Sequence, residues 1–469
     1  MRKPDLAPLA MYLARHARKK NVIWLGEDAD AFPRLGYEFV LLGVDREERI
    51  LPLRYRIGGT WVEHDFDRAP YLLPDRVFLE NSVVVCNDLL GRPLSHKGAL
   101  HTVQEFVASG ATVVATAPAP GSGRPKALET KEFLGTLVEA GLEPSFLGKT
   151  CTDDVTFAKT THLAILEPEE RRPQLWRTTP DAFSVVAIVM VFNEADVIEN
   201  VIEHLISQGV SIYLMDNWST DDTVQRASKY LGRGVIGIER NPLQDTGTFD
   251  LARALTRVEH LSHVIEADWF VHYDIDEIRR SPFRGVGLRD AIYAIDRAGY
   301  NAIDFTIVNF RPVDDTFRAG LPLEAHFRYF EFGDTRDLLR QRKAWKNLGL
   351  PVYLLERAGH DVLFTGRKLY PYKFITKHYP VRSQQHGERK IVKERRDRFN
   401  RQERDQRKWH VHYDETPKAT PNFLHDPSTL IAFDDAFYEE YLVERLTGIG
   451  SARTPGFIDM YLNYHGESV

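Results

Sequence analysis

VVAIVMVFNEADVIENVIEHLISQGVSIYLMDNWSTDDT (185–223) sets the fold. It opens on an apolar run ending at Asn193 and Glu194. Ile198, Val201, Ile202, Leu205 and Ile206 then recur at helical spacing, and Gly209 stops the helix. SIYLMD (211–216) reads as a second strand. Ser219 after it suits a helix N-cap, with Asp222 three residues on. Strand, helix and strand joined by short turns predict parallel strands with a helix packed on them.

Downstream, FVHYDIDEI (270–278) drives an apolar strand into Asp274, Asp276 and Glu277. Like charges this close repel, so the site is either fully solvated or neutralised by a cation. The D-x-D spacing alone decides nothing, since Asp28/Asp30 and Asp65/Asp67 share it. Its position decides more. In this chain order Glu194, Asp216 and Asp274 fall along one carboxyl edge of one sheet, the usual ligand edge of α/β folds.

Taken in order, "FNE", "DNWSTDDT" and "DIDE", followed by HYPVRS (378–383), resemble the family 2-type glycosyltransferases of GT-A fold. The likeness is to non-processive members with D-x-D-E and HYP-x-R-S segments, and covers about 183–395. It implies a metal-dependent transfer of one sugar, with inversion, from a UDP- or GDP-linked donor to a glycan or glycolipid hydroxyl. It further implies that Asp276, Asp274 (through water or the ribose) and His378 hold Mn²⁺ or Mg²⁺. A hard cation there would stabilise the charge that develops on the departing diphosphate. Glu277 orders the turn or faces the acceptor.

By the same resemblance Glu194 and Asp216 hold base and ribose, whose N–H and O–H donors suit carboxylates. Asn193 matches either a ligand-binding position or a structural cap. Asn217 stands where a second Asp is commoner, which leaves the donor base open. Arg382, Ser383 and Lys390 follow on one segment suited to the diphosphate through charge-assisted hydrogen bonds, and Arg253 matches either another diphosphate-side position or a surface arginine on a helix. The general base is expected beyond the D-x-D; Asp361 fits best, with Glu331 and Asp304 as alternatives. QRKAW (341–345) lacks the spacing of the processive Q-x-x-R-W segment and precedes Asp361.

ERKIVKERRDRFNRQERDQRKW (388–409) carries ten Lys/Arg against five Asp/Glu. It reads as a solvated helix with i,i+4 pairs such as Glu394 with Arg398, or as a face for anionic headgroups or diphosphate. Residues 396–469 are expected to form a helical extension whose Phe437, Tyr438 and Tyr441 wall the acceptor pocket.

Ahead of the decisive stretch, 168–182 is Pro-rich and aperiodic, an interdomain linker. Residues 1–167 alternate strands (21–26, 37–44, 77–88, 111–118, 159–166) with a helix at 95–110, a Rossmann-like pattern. The order loosely resembles a class I methyltransferase-type domain. LGEDADAF (25–32) stands where the glycine-rich turn belongs, and Asp45 at the ribose-binding acid. The fold class is thus α/β with two domains, 1–167 and 183–395.

Composition adds limits. The chain has 469 residues, 43% hydrophobic, with a net charge of −6, which argues against a nucleic-acid partner. Its two cysteines, Cys86 and Cys151, form no metal-ligand spacing and favour a reducing, cytoplasmic setting. No apolar run is long enough to span a bilayer, leaving peripheral membrane contact open. Three rival readings remain. A nucleotidyltransferase lacks its Gly-rich loop after VVAIVMVF. An S-adenosylmethionine-dependent methyltransferase would act through residues 1–167. A non-catalytic nucleotide-sugar-binding protein would keep the same carboxylates.

Overall fold

A computed structural model describes 178–411 and 421–433, apart from 284, 333–340 and 371–372, together with parts of 21–168. The chain divides into two units, 1–173 with 435–469, and 174–434.

In the first unit the strands are β1 (Asn21–Leu25), β2 (Phe39–Leu42), β3 (Leu53–Ile57), β4 (Thr60–His64), β5 (Ser82–Cys86), β6 (Thr112–Pro118), β7 (Phe146–Cys151) and β8 (Lys159–Leu166). The sheet order is β2-β1-β5-β6-β8-β7, with β3 and β4 paired separately. β2, β1, β5 and β6 run parallel, and β8 lies antiparallel between β6 and β7. Helix α1 (His96–Ala108) connects β5 to β6, and α2 (Thr130–Glu139) follows β6. Val84, Phe106, Val113, Phe133 and Leu137 pack between the helices and the sheet. The β3–β4 hairpin escaped the sequence reading, although alternation around Gly58-Gly59 is a hairpin signal. Residues 26–32, Asp45 and the loop at 119–125 lie outside the described residues.

The second unit runs β9 (Val185–Val191), α3 (Ile198–Ser207), β10 (Ser211–Asp216), α4 (Thr223–Ser228), β11 (Val235–Arg240), α5 (Leu251–Val264), β12 (Trp269–Asp274), β13 (Glu277–Arg280) and α6 (Leu288–Arg297). It continues with β14 (Ala302–Ile303), β15 (Phe305–Phe310), α7 (Leu323–His326), β16 (Tyr329–Phe332), β17 (Ala344–Lys346), β18 (Phe374–His378) and α8 (Gln384–Gly387). A π-helix (Glu388–Arg395), α9 (Arg401–Arg407) and β19 (Ile431–Ala432) close it.

Two sheets result, β11-β10-β9-β12-β17-β14 and β13-β18-β15-β16-β19. β9 is central and flanked by parallel strands. It is buried at every position but Met190, which is why its sequence is an unbroken apolar run rather than an alternating one. α3 buries Ile198, Val201, Ile202 and Leu205. α5 presses Leu255, Val258 and Leu261 onto Phe270 and Trp345. Truncating one such leucine to alanine costs about 2–5 kcal/mol. Gly209 closes α3 at φ +71, as its place in the sequence suggests.

β12 ends the parallel run. Its chain turns through Ile275 and Asp276 and enters the second sheet as β13, where Tyr379 N–H donates to the Asp276 carbonyl at 2.8 Å. The acidic turn therefore lies on the seam between the sheets, with the carboxyl ends of β9 and β10 beside it in register.

Four local expectations are corrected. Ser219 does not cap a helix: its Oγ accepts the Asn193 N–H at 3.0 Å, and α4 starts after Asp222. The left-handed turn at Trp218 (φ +62) points the loop back at β9. The 388–409 segment is not a solvated helix, since Lys390, Ile391, Arg396 and Glu403 are buried. Glu403 of α9 accepts the Leu251 and Ala252 N–H groups (3.0 and 2.7 Å), giving the first turn of α5 the anion it favours. Glu394 bonds Asn193 (3.2 Å), which departs from the expected pairing with Arg398. In the tail the described helical elements are α9 and a short 3-10 helix (Pro427–Thr429), and Ile431–Ala432 pairs with β16 as an edge strand. Phe437, Tyr438 and Tyr441 lie outside the described residues.

Candidate active site

A cavity of about 800 Å³ opens along the seam, a size suited to a nucleotide-scale ligand. Asp274 and Asp276 line it beside Asn217, His378 and Lys390; the segment 390–410 supplies Arg395, Arg398, Phe399 and His410.

The carboxylates of the acidic turn are neutralised by the chain's own cations. Lys343 Nζ lies 2.7 Å from Asp274 Oδ2, and Lys390 Nζ 2.7 Å from Asp276 Oδ2. Desolvation in the cleft would raise both carboxyl pKa values; Lys343 on Asp274, and Lys390 with His378 on Asp276, outweigh it and hold both well below the usual range. Glu277 points elsewhere, into a buried pair with Arg279 at 2.6 Å. The Arg279 guanidinium sits 4.5 Å from the rings of Tyr273 and Phe305. Glu277 therefore orders the turn and does not face an acceptor.

His378 follows from strand register: β13 pairs with β18 so that Glu277 stands opposite His378. Its Nε2 is 3.8 Å from Asp276 Oδ2, while Nδ1 meets Asn309 Oδ1 at 2.9 Å. Asn309 Oδ1 only accepts, so Nδ1 donates to it and Nε2 is the ring nitrogen turned toward Asp276. A carboxylate oxygen and an oriented imidazole nitrogen at this separation fit a shared divalent ion.

Glu194 is fully buried under three cations: Arg382, Lys390 (2.8 Å) and Arg395 (2.8 Å). Burial pushes its carboxyl upward, but these charges prevail and the net shift is downward. Arg382 also bonds Asp196 (2.7 and 3.0 Å), the Tyr379 carbonyl (3.0 Å) and His386 Nε2 (2.6 Å). Glu194, Asp196 and His386 bring metal-ligating atoms within 4.8 Å of one another. Arg382 contacts all three, so a cation of the chain already fills that space. Its buried, engaged guanidinium does not fit the expected role on a diphosphate. Ser383 is likewise engaged, accepting the His386 N–H at 3.0 Å as the cap of α8.

Next to the lining residue Phe192, Asn193, at φ +52, acts as a clasp. Its Oδ1 accepts the Thr220 N–H at 2.8 Å and its Nδ2 reaches Glu394. Asp216 is buried, which raises its pKa, and both its oxygens accept the Ser219 N–H at 3.2 Å. Asn217 donates Nδ2 to the Asn241 carbonyl at 2.7 Å. A carbonyl only accepts, so the amide orientation is fixed and Oδ1 is turned away from Asn241. That oxygen is buried and has no hydrogen-bond partner among the described residues. Arg398, 3.5 Å from the Phe192 ring centre and donating to the Asn217 carbonyl at 2.6 Å, adjoins it.

Seven expected residues fall outside the cavity lining: Asn193, Glu194, Asp216, Arg382 and Ser383, placed above, and Arg253 and Asp361. Arg253 is exposed in the first turn of α5, and its backbone N–H bonds the cap residue Asp250. Asp361 is buried with its oxygens on Arg342 (2.9 Å) and Arg367 (2.7 Å), a paired structural carboxylate instead of a free base. Its alternatives are paired too, Asp304 with Lys373 (3.4 Å) and Glu331 with Arg311 (2.6 Å).

The sequence reading missed Lys343, Arg395, Arg398 and His272. Lys343 lies in the QRKAW segment, dismissed on spacing, and Arg395 and Arg398 lie in the basic run. His272, two residues before Asp274 on β12, lines the cavity as a neutral ring; burial, then Lys343, pushes its pKa down to about 3. That i, i+2 spacing was a usable signal.

The geometry is that of an α/β unit holding a largely apolar cleft, with carboxylates and cations set into it, at the carboxyl edge of a parallel sheet. Residues 186–242 match the family model described as Glycosyl transferase family 2. The match spans β9 to Pro242 and is a likeness of that segment to the family. Similar solved structures include S. aureus TarS (15% identity, 43% of this chain and 36% of that one, TM-score 0.25). Mannosyl-3-phosphoglycerate synthase from Rubrobacter xylanophilus is 17% identical over 28% of this chain and 42% of that one (TM-score 0.20). Glucosyl-3-phosphoglycerate synthase from Mycobacterium tuberculosis, in complex with Mn²⁺, UDP-glucose and phosphoglyceric acid, is 16% identical over 28% and 50% (TM-score 0.18). The chain thus spans half or less of the length of these three. No curated protein matches. No described helix is long and apolar enough to cross a membrane.

Proposed function

We propose that 178–411 form the catalytic unit of a metal-dependent glycosyltransferase that moves one sugar from a nucleotide-diphosphate donor to an acceptor hydroxyl of a glycan or glycolipid, with inversion. The observation that carries this is the approach of His378 Nε2 to Asp276 Oδ2 at the mouth of β12, inside a nucleotide-sized cavity. Asp276 and His378 would hold Mn²⁺ or Mg²⁺, with Asp274 contributing through water. The ion would supply Lewis-acid stabilisation of the leaving diphosphate.

The chain's own residues do the rest. Asn217 Oδ1 accepts from the base, which favours uracil, thymine or guanine, whose ring N–H donates at the pairing edge. Phe192 and Arg398 flank that base. Lys390 and Arg395 reach the diphosphate. Among the described cavity-lining residues Asp274 and Asp276 are the carboxylates, so we withdraw Asp361 as the base and assign none.

A thermal-shift panel of UDP-, GDP- and TDP-sugars with and without Mn²⁺ tests the reading. Saturation at a hundred times Kd adds about 2.7 kcal/mol. A metal-dependent shift with one nucleotide class, lost in Asp276→Asn, is expected, together with release of that nucleoside diphosphate. No shift with any of them sinks the proposal. For 1–167 we keep a methyltransferase-like Rossmann domain, supported by the parallel β2-β1-β5-β6 run. Calorimetry with S-adenosylmethionine checks it, and no heat of binding would leave that domain without this ligand.

A further inference from the structure

Glu194 holds one cation more than it has oxygens. Arg382 is fixed by its bonds to Asp196, and Arg395 Nη2 lies 2.8 Å from Glu194 Oε1. Lys390 Nζ lies 2.8 Å from that same oxygen and also 2.7 Å from Asp276 Oδ2. Asp276 Oδ2 is in turn the atom that faces His378 Nε2 at 3.8 Å. A single buried ammonium thus stands on the oxygen a divalent ion would take. Two ligand atoms bound at about 2.0–2.2 Å to one ion lie up to roughly 4 Å apart, so the Asp276–His378 pair has the right span. The ion and the ammonium would nonetheless repel each other across Oδ2.

We propose that Lys390 is a displaceable counter-cation that closes the metal position at Asp276 in the ligand-free protein, so that a divalent ion binds tightly only once the donor's diphosphate has drawn the ammonium away. This rests on the transferase reading above and adds a binding order to it. The charges balance in both states. Before binding, Asp276 is matched by Lys390. Afterwards Asp276 is matched by the ion and Lys390 by the diphosphate, while Glu194 keeps Arg382 and Arg395. A lysine suits the task, being a compact charge on a flexible stem with three donors. It is carried on a π-helix, a rare conformation that is frequent at functional sites. Lys343 is held differently: its ammonium stands between Asp274 (2.7 Å) and buried Glu277 (3.8 Å), and no other cation lies within ion-pair distance of Asp274 to replace it among the described residues.

The test is Mn²⁺ binding by the full chain, read from the paramagnetic resonance of free Mn²⁺, for wild type, Lys390→Met and Lys390→Arg. Each is titrated alone and with UDP or GDP. In wild type the nucleotide is expected to tighten Mn²⁺ by about tenfold or more, within the usual range of coupling between sites. Lys390→Met is expected to bind Mn²⁺ alone about tenfold more tightly than wild type, with the nucleotide then adding less than about threefold. Lys390→Arg, which keeps the charge, stays weak without nucleotide. Equal Mn²⁺ affinity in wild type and Lys390→Met overturns the inference but leaves the transferase reading standing. If Lys390→Met does not fold, the wild-type coupling decides alone, and its absence overturns the inference. No Mn²⁺ binding by any protein in any condition removes both.

Discussion

His378 and Asp276 meet because β13 and β18 pair in the register that sets Glu277 opposite His378; the imidazole Nε2 then lies 3.8 Å from the carboxylate. Asn309, on the neighbouring strand β15, fixes the ring from behind through Nδ1.

Asn309 thus supports a proposed metal ligand without being one. Such partners are typically worth 10–100-fold in metal affinity, so Asn309→Leu is expected to weaken Mn²⁺ by about that factor. Mn²⁺ titration in the presence of nucleotide, with the melting temperature as a fold control, checks it. Unchanged affinity would remove His378 from the ligand set.

Arg382 has no exposed surface and satisfies Glu194 and Asp196 together. Arg382→Met leaves both carboxylates without this partner, at a cost of about 3–5 kcal/mol. Urea unfolding measures this directly. A loss below about 1 kcal/mol would mean that Arg395 and Lys390 can neutralise the cluster unaided.

Glu324 bridges Arg280 and Lys377 (2.7 Å). Burial alone would raise its pKa, but the two cations hold it at about 2. A depressed carboxyl stabilises the fold fully above its unfolded pKa, about 4.3, and loses that contribution as pH falls toward 2. The contribution is about 1–3 kcal/mol. Glu324→Gln should therefore be less stable than wild type at pH 7, with the gap closing below pH ~4 as the wild-type carboxyl protonates. Melting curves from pH 7 to 3 would show it; a gap that stays constant would rule the charge out.

Asn217 offers one buried acceptor and anchors its own amide on Asn241. Asn217→Leu removes about 0.5–1.5 kcal/mol of base binding, or roughly 2–10-fold in nucleotide affinity. Isothermal titration with UDP and with ADP separates a base contact from general weakening. An equal loss for both would place the base elsewhere.

How much of this could be read from the chain differs by element. β9 declared itself because a strand buried on both faces must be apolar throughout, and α3 because its apolar stripe repeats at 3.6 residues. Asp274 and Asp276 were legible because their strand fixes where it ends. The basic run at 388–409 misled, since its composition is that of a solvated helix while Glu403 caps α5 and Lys390 bridges two carboxylates. Asp361 misled in the same way, as nothing local announces Arg342 and Arg367.

The sequence by itself determined the parallel βαβ unit and the acidic turn at its edge, because periodicity and strand ends are local properties of the chain; the histidine segment was legible only through a family resemblance. The tertiary structure decided which charges neutralise which. Lys343, Lys390 and Arg395 reach Asp274, Asp276 and Glu194 across two sheets and a π-helix. Electrostatic pairing depends on distance in space, and sequence separation carries almost none of that information.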